Sequence, residues 1–178
     1  MAGTTGAAND GKISVLFVCL GNICRSTMAE GVFRSIVQNP SSPYYNRIGT
    51  VDSCGTGGYH IGEEPDERTL STLKDHGITN YKHAARRLRD SDFKDFDYIF
   101  AMDHNNHSDV ERWRSRKGVS DKAQVMLFGE FSGSGRKEAI QDPYYTGGGA
   151  FEKAYEQCRR FSENFLAKTF PDVPKSTS

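Results

Sequence analysis

The sequence predicts a single α/β domain in which a four-stranded parallel sheet carries helices on both faces. Its 178 residues are a usual length for one domain and are enough to bury a core. Four short apolar runs, rich in β-branched residues, alternate with longer amphipathic segments. Because this alternation is typical of a parallel sheet covered on both sides, we expect each strand to be largely buried.

The first half of the chain supplies two strands and two helices. Residues 13–19, ISVLFVC, form the apolar run of a buried strand, and a helix is predicted over 26–38. A second strand is predicted over 47–53. A second helix is predicted within 63–77, which has a proline near its start and a glycine at its end.

The second half repeats the alternation. Strands are predicted over 97–103 and 122–129, and helices over 105–116 and 151–165. Residues 130–149 form a long loop containing several glycines. Loops of this length in a compact domain are usually functional or disordered. The predicted domain spans 13–170, between a disordered tail at 1–12 and a flexible C-terminus at 171–178.

Composition limits the partners and the compartment. Lys plus Arg and Asp plus Glu number 23 each, so the chain lacks the basic footprint of a nucleic-acid-binding protein. The longest apolar run, VLFVCL, is far shorter than the roughly 20 residues that span a membrane. The start lacks a signal-peptide core, and Ala2 stands where myristoylation requires glycine. We therefore expect a cytoplasmic protein without nucleic-acid or membrane partners.

The segment CLGNICRS, residues 19–26, joins the first strand to the first helix. At such a joint, backbone N–H groups can converge on an anion, and the helix N-terminus adds partial positive charge. Gly21 and Asn22 tolerate the unusual backbone that this turn needs. Arg25 adds a planar set of donors that suits phosphate oxygens. The sequence therefore predicts a phosphate loop after the first strand.

Cys19 lies at the floor of this loop. A thiol that faces N–H groups, a helix N-terminus and an arginine loses its proton easily, and the thiolate is the nucleophilic form. Such a thiolate could attack phosphorus in line and form a phosphocysteine. The loop is not the ATP-binding P-loop, because G-x-x-x-x-G-K-[ST] is absent from the chain.

A proton donor for the leaving group is expected in the long loop. Asp142, in DPYY, could protonate the leaving oxygen and later accept a proton from the hydrolytic water. Tyr144 and Tyr145 could wall a slot for an aromatic ring. Asp142 could equally be an ordinary turn former before proline.

The other cysteines and histidines can be interpreted without a catalytic role. The four cysteine spacings match no zinc framework, so no metal site is predicted. Cys24 is either structural or the partner of Cys19 in a reversible disulfide. Cys54 and Cys158 are expected in the core. His83 lies in a polar stretch, KHAARR, that could simply be solvated, and the remaining histidines are expected at the surface or at caps; these are His60, His76, His104 and His107.

Four stretches together resemble the low-molecular-weight protein tyrosine phosphatases: VLFVCLGNICRS, VDSCGTGGYHIGEEPDERT, FDYIFAMD and DPYY, in family order. The resemblance covers nearly the whole chain after the tail and implies the fold predicted above. It implies hydrolysis of phosphotyrosine and small aryl phosphates without a cofactor, and binding of inorganic phosphate and oxyanion inhibitors. Phosphotyrosine-bearing proteins are the implied partners, and the protein is expected to be a monomer or a weak homodimer.

The resemblance also implies roles for individual residues. Cys19 matches the nucleophile, Arg25 the phosphate clamp and Asp142 the general acid and base. The expected phosphate-binding residues are Leu20, Gly21, Asn22, Ile23, Cys24 and Ser26, of which Ser26 supports the thiolate and Cys24 protects it through a disulfide under oxidation. Ser53 and His83 are expected to support the loop together with Asn22, and the substrate rim is expected to be Tyr59, Tyr144 and Tyr145.

Two departures from the family pattern concern Thr27 and the stretch 146–149. Thr27 stands where the family usually has a proline, which suits a first helical turn. The stretch 146–149, TGGG, replaces glycine and acidic residues and should loosen the loop that carries Asp142. We expect Thr27 to have a small effect on stability rather than to abolish the chemistry, and the added glycines to change how Asp142 is delivered to the site.

Three other functions stay open at this stage. Arsenate reduction on the same scaffold would need further cysteines, and only Cys54 and Cys158 lie downstream of the loop. Phosphoarginine hydrolysis is disfavoured because members resembling that branch carry a small polar residue at the position of Ile23. A non-catalytic module that binds phosphopeptides or other anions would not need all three central groups.

Overall fold

The structure is a computed structural model that describes residues 11–118 and 121–174. Residues 1–10 of the expected N-terminal tail and residues 175–178 of the expected C-terminal segment lie outside the described part of the chain. Among the residues it describes, no helix is both long and apolar enough to cross a membrane.

The chain forms a four-stranded parallel sheet in the order β2-β1-β3-β4, which confirms the predicted fold class. The strands are β1 (Ile13–Cys19), β2 (Ile48–Gly55), β3 (Tyr98–Ala101) and β4 (Gln124–Leu127). The chain passes from β1 to β2 on one side and then returns to β3 on the other. Such a reversal of strand order opens a crevice at the carboxyl ends of the strands, and β1 ends there with Cys19.

Helices cover both faces of the sheet. They are α1 (Arg25–Val37), α2 (Glu67–Asp75), α3 (Asp92–Asp95), α4 (His104–Lys117) and α5 (Ala150–Thr169). On one face α1 packs against α2 and α5, and on the other α4 packs against β3 and β4. The short helix α3 was not predicted, and α5 continues four residues beyond the expected end at residue 165.

The sheet separates two apolar cores. Successive residues of β1 alternate between them: Val15 and Phe17 enter the larger core, and Leu16 and Val18 the smaller. Phe17 contacts Phe33 of α1 edge to face with 5.5 Å between ring centroids, so β1 and α1 are held together on either side of the loop that joins them. This packing fixes both ends of the segment 19–25.

Some element boundaries differ from those predicted. Strand β4 ends at Leu127 and a 3₁₀ helix, Phe128–Phe131, follows where strand and loop were expected. Helix α2 begins only at Glu67, because the Asp66 side chain caps it by accepting a hydrogen bond from the backbone N–H of Arg68 at 2.8 Å. Helix α4 begins at His104, where Asp103 plays the same capping role.

Candidate active site

The predicted phosphate loop occupies residues 20–24, between the end of β1 and the start of α1. Asn22 has φ of 59°, and it is the only residue other than glycine with positive φ in the described ranges. At Gly21, an added Cβ would lie 2.9 Å from the His60 ring. The loop thus turns through a left-handed residue and passes close to a neighbouring side chain, as the sequence suggested for these two positions.

The sulfur of Cys19 has two hydrogen-bonding neighbours. Its Sγ lies 3.0 Å from Ser26 Oγ, and the backbone N–H of Asn22 donates to it at 3.3 Å. Cys19 is only 3% exposed, so little water competes with these groups. The Asn22 N–H is a donor and the Ser26 hydroxyl can act as one, so the sulfur lies among groups able to donate hydrogen bonds to it.

The side chain of Asn22 fills all its hydrogen-bonding positions with neighbours from separate segments. Its amide nitrogen donates to Ser26 Oγ at 2.8 Å and to Ser53 Oγ at 3.0 Å. Its oxygen accepts the backbone N–H of Arg86 at 3.0 Å and lies 2.8 Å from His83 Nε2. The structure therefore brings together the group expected to support the loop, and His83 is not a solvated residue.

Glu30 lies behind this group and was not singled out from the sequence. Its carboxylate is fully buried and accepts hydrogen bonds from Ser53 Oγ at 2.7 Å and from the Tyr81 hydroxyl at 2.9 Å. Arg34 Nε donates to its other oxygen at 2.6 Å. Burial, followed by the charge of Glu30, raises the pKa of Tyr81 well above its ordinary value. One available signal was the i, i+4 spacing of Glu30 and Arg34.

Arg25 is held by acceptors that come from distant segments. Its Nη1 donates to Asp103 Oδ2 at 2.5 Å and to the Ile140 carbonyl at 3.1 Å. Its Nη2 lies 3.8 Å from Asp142 Oδ2. Burial alone would lower the pKa of Arg25, but Cys19 and the Asp103 carboxylate outweigh burial and raise it. Asp103 has no role in the sequence prediction, although it follows β3 at the same sheet edge as Cys19.

The loop that carries Asp142 is tied to the start of α2. Asp142 is partly exposed, and its Oδ1 accepts the backbone N–H of Tyr144 at 3.0 Å. Arg68 donates to the Tyr144 carbonyl at 3.2 Å, and its guanidinium lies 5.3 Å from the centre of that ring. Two hydrogen bonds from Arg68 to Asp66 fix the guanidinium and lower the pKa of Asp66. Sequence reasoning did not identify this Asp66–Arg68 pair.

A cavity of about 410 Å³ opens above the loop. The three predicted rim tyrosines line it, and Tyr59 and Tyr145 are largely exposed, at 74% and 88%. His60, expected to be an ordinary surface residue, also lines it. The lining residues are Cys19, Leu20, Gly21, Ile23, Cys24, Arg25, Tyr59, His60, Asp142, Tyr144 and Tyr145. The nucleophile, clamp and acid candidates therefore share one aromatic-rimmed cavity.

The remaining cysteines differ from Cys19 in their surroundings. Burial, followed by the charge of Asp66, raises the pKa of Cys24 to about 12. Cys54 and Cys158 are fully buried in the two cores, where burial raises the pKa of each thiol far above its usual value. All four are free thiols in the structure.

Within residues 11–118 and 121–174, one cluster has the spacing of a metal site. Glu30, Asp52 and His83 offer ligand atoms within 4.8 Å of one another. These side chains already have other partners: Glu30 accepts from Ser53, Asp52 Oδ2 accepts from Arg86 at 3.0 Å, and His83 Nε2 contacts Asn22. We therefore assign these three side chains to the group that supports the phosphate loop.

Comparison with known proteins agrees with this geometry. Residues 14–174 match the family model described as low molecular weight phosphotyrosine protein phosphatase. The relative of that name from Schizosaccharomyces pombe is 51% identical over 155 residues, covering 87% of this chain and 96% of the relative.

Solved structures give the same picture. A protein tyrosine phosphatase from Entamoeba histolytica superposes with a TM-score of 0.77 at 32% identity, covering 90% of this chain and 99% of that one. The Drosophila arginine phosphatase DARP superposes with a TM-score of 0.76 at 37% identity, covering 92% and 99%.

Proposed function

The chain belongs to the low molecular weight phosphotyrosine protein phosphatases, which makes it a protein-tyrosine phosphatase, and we propose that it works through a phosphocysteine intermediate on Cys19. The Cys19 thiolate attacks phosphorus, a P–S bond forms and the bond from phosphorus to the tyrosine oxygen breaks. Water then attacks phosphorus, the P–S bond breaks, and inorganic phosphate leaves with the thiolate restored. One observation carries the proposal: Cys19, Arg25 and Asp142 line one aromatic-rimmed cavity.

Arg25 is proposed to bind the phosphoryl oxygens and to stabilise their charge in the transition state. Its contacts with Asp103 and the Ile140 carbonyl hold the guanidinium in place before substrate arrives. Preorganised charge of this kind is usually the largest single contribution to catalysis, because it needs no reorganisation during reaction. The loop residues 20–24 and Ser26 are proposed to surround the same phosphoryl group.

Asp142 is proposed to give its proton to the departing tyrosine oxygen and to recover one from the attacking water. Its position at the mouth of the cavity, 3.8 Å from Arg25 Nη2, supports this role. Tyr59, Tyr144 and Tyr145 are proposed to bind the substrate ring, so phosphotyrosine proteins and small aryl phosphates are the expected substrates. Inorganic phosphate and related oxyanions are expected to compete for the loop.

The test compares Cys19→Ser and Asp142→Ala with the matched cysteine variant Cys24→Ser. We expect Cys19→Ser to lose turnover of p-nitrophenyl phosphate while still binding vanadate, and Cys24→Ser to keep turnover. Asp142→Ala should slow phenyl phosphate, with its poorer leaving group, about 10²-fold more than p-nitrophenyl phosphate. Full activity of Cys19→Ser would refute the mechanism, and vanadate binding by a wild-type protein without turnover would indicate a binding module instead.

Phosphoarginine hydrolysis is the second candidate, because one similar solved structure is an arginine phosphatase. Ile23, which is 9% exposed, and the tyrosine rim give this cavity apolar walls that suit an aromatic ring. A peptide carrying either phosphotyrosine or phosphoarginine at one position separates the two. We expect the phosphotyrosine form to react faster and Ile23→Thr to reduce that preference, whereas faster turnover of phosphoarginine would reverse the assignment.

Arsenate reduction is not favoured. That reaction needs a second and third cysteine able to pass on a disulfide, and Cys54 and Cys158 are both fully buried in packed cores.

We propose only a reversible Cys19–Cys24 disulfide, formed when an oxidant removes two electrons and both thiol protons leave. We also propose a cytoplasmic location, because a cysteine pair in a reducing compartment is more often catalytic or redox-active than structural. Weak association of two copies through the exposed tyrosine rim is proposed as well.

A further inference from the structure

A second cavity, of about 520 Å³, adjoins the catalytic one; we call it the basic pocket. Leu20 of the phosphate loop and Tyr59 of the rim line both cavities, so these two side chains form a shared wall. The basic pocket is further lined by Thr56, Gly57, Arg87, Asp109, Arg112, Trp113, Arg116 and Lys117. No catalytic step proposed above uses any residue of α4 in this pocket.

The basic pocket concentrates positive charge in a chain whose net charge is zero. Four cations and one carboxylate, Asp109, line it. Asp109 lies 3.7 Å from Arg112 and forms an exposed ion pair with it. Across the described ranges, no carboxylate lies within ion-pair distance of Arg87, Arg116 or Lys117. Several cations without counter-ions around one cavity favour an anionic ligand.

Helix stability accounts for only part of this charge. Lys and Arg near a helix C-terminus are stabilising, which explains Arg116 and Lys117 in the last turn of α4. Arg114 also belongs there, but it turns away from the pocket and donates to the carbonyls of Asp121 and Ala123. The same reasoning does not extend to Arg112 in an earlier turn, or to Arg87 on a different segment.

Hydrogen bonds and cation–π contacts hold several side chains of the basic pocket in place. Trp113 lines the pocket, and its ring N–H donates to Asp90 at 2.8 Å. The Arg87 guanidinium and the Lys117 ammonium lie 5.2 Å and 6.0 Å from the centre of the Trp113 ring. Arg87 Nε donates to the Thr56 carbonyl at 3.2 Å, which leaves its two terminal nitrogens for a ligand.

We propose that the basic pocket binds an anionic side chain of the substrate protein close in sequence to the phosphotyrosine. The inference rests on the proposed function, because it requires that phosphotyrosine binds in the catalytic cavity. That cavity adjoins the basic pocket along Leu20 and Tyr59. An extended peptide advances about 3.3 Å per residue, and because the two cavities share Leu20 and Tyr59, we place the anionic side chain roughly two to four residues from the phosphotyrosine. Glutamate and phosphoserine carry the chemistry that the four cations recognise.

The test uses phosphotyrosine peptides of one sequence with Gln, Glu or phosphoserine two to four residues to either side. On at least one side, we expect the wild-type protein to show a KM about two- to fivefold lower for the Glu peptide than for the Gln peptide, with little change in kcat. Phosphoserine should lower KM further if charge decides binding. The difference should shrink as salt rises from 0.05 to about 0.5 M.

The test variant is Arg112→Gln with Arg116→Gln, which should give equal KM values for the Glu and Gln peptides. The matched control, Arg159→Gln with Lys168→Gln on α5, removes the same charge elsewhere and should keep the preference. Thermal unfolding and unchanged turnover of p-nitrophenyl phosphate establish that both variants fold and retain the catalytic cavity.

Two results would overturn the inference: wild-type KM values that do not distinguish Glu from Gln on either side, or a preference that survives in Arg112→Gln/Arg116→Gln. Either result leaves the proposed function standing as long as wild-type protein hydrolyses p-nitrophenyl phosphate. Wild-type protein that hydrolyses neither p-nitrophenyl phosphate nor the peptides would instead refute the proposed function, and the inference with it.

Discussion

Asn22 adopts a left-handed backbone in the phosphate loop while its side chain bonds to four partners. The left-handed region costs most residues about 1–2 kcal/mol, and asparagine is among the few that visit it routinely. Glycine would remove the backbone cost but would leave the hydroxyls of Ser26 and Ser53 and the Arg86 N–H without this partner. Asparagine therefore serves both needs of the loop at one position.

Replacing Asn22 separates these two contributions. Asn22→Ala and Asn22→Gly both remove the amide, so each should lower kcat for p-nitrophenyl phosphate about 10- to 100-fold, because an unsatisfied buried group costs roughly 1–3 kcal/mol. Only alanine also suffers at φ of 59°, so it should unfold more easily than the glycine variant. Urea unfolding and steady-state rates measure both effects, and equal stability of the two variants would contradict the backbone argument.

At the residue scale, the sequence predicts what lies within one short segment and misses what other segments bring to it. Cys19 and Arg25 could be assigned from eight consecutive residues, since the strand-to-helix joint dictates their setting. Glu30 and Asp103 could not, because their partners lie far along the chain: Tyr81 and Ser53 for Glu30, and Arg25 for Asp103. The partners of these two carboxylates become apparent only in the folded structure, where the sheet brings the segments together.

At the element scale, the segment that carries Asp142 is anchored well before it reaches the cavity. The Glu138 backbone N–H donates to the Gly129 carbonyl at 3.1 Å, and an added Cβ at Gly129 would meet the Glu138 carbonyl at 1.6 Å. Two residues later, the Ile140 N–H donates to Met102 at 2.9 Å. This contact brings the Ile140 carbonyl to Arg25. The long loop is therefore ordered by backbone contacts that composition does not reveal.

Arg160 of α5 also holds Glu138 in place, through two hydrogen bonds to its carboxylate at 2.8 and 2.9 Å. These bonds lower the pKa of Glu138 from its ordinary value of 4.5 to about 2. A carboxylate with a lowered pKa in the folded state stabilises the fold above about pH 4.5, and this stabilisation is lost as pH falls toward about 2.

Glu138→Gln should therefore lower the free energy of unfolding by about 1 kcal/mol at pH 7, since the pair is partly exposed. The difference from wild type should hold from pH 7 to pH 5 and shrink below about pH 4.5. Urea unfolding across this range measures it. Glu163→Gln, which breaks an exposed pair with Arg159 on α5, is the control and should show a smaller change at pH 7. A difference that grows on acidification would contradict the argument.

The order of strands and helices was predictable because apolar periodicity reports burial directly, whereas several ends were not. Helix α2 starts at Glu67, after the Asp66 cap and two residues beyond Pro65, and helix α5 continues to Thr169 beyond its last predicted apolar position. The four-residue helix α3 escaped prediction because it is too short to show a period. Its buried Asp92 accepts a hydrogen bond from Arg86, six residues earlier in the chain.

At the scale of the whole molecule, the position of each thiol relative to the sheet determines whether a reagent in solution can reach it. Cys54 lies in the smaller core and Cys158 in the larger, both without exposed surface. Cys19 and Cys24 line the catalytic cavity at the sheet edge, but burial raises the pKa of Cys24 to about 12, so it stays protonated at neutral pH. Of the four thiols, Cys19 is therefore the one that we propose as the nucleophile.

This distribution predicts the stoichiometry of alkylation. Native protein treated with iodoacetate at pH 7 should take up one carboxymethyl group, on Cys19, because the thiolate is the reactive form and Cys19 has donors that stabilise it. Unfolded protein should take up four, one for each cysteine. Mass spectrometry of intact and digested protein measures both values. Inorganic phosphate should slow the native reaction by occupying the loop, and Cys19→Ser should abolish it. Rapid labelling of Cys54 or Cys158 in the native state would mean that the cores open far more readily than their packing allows.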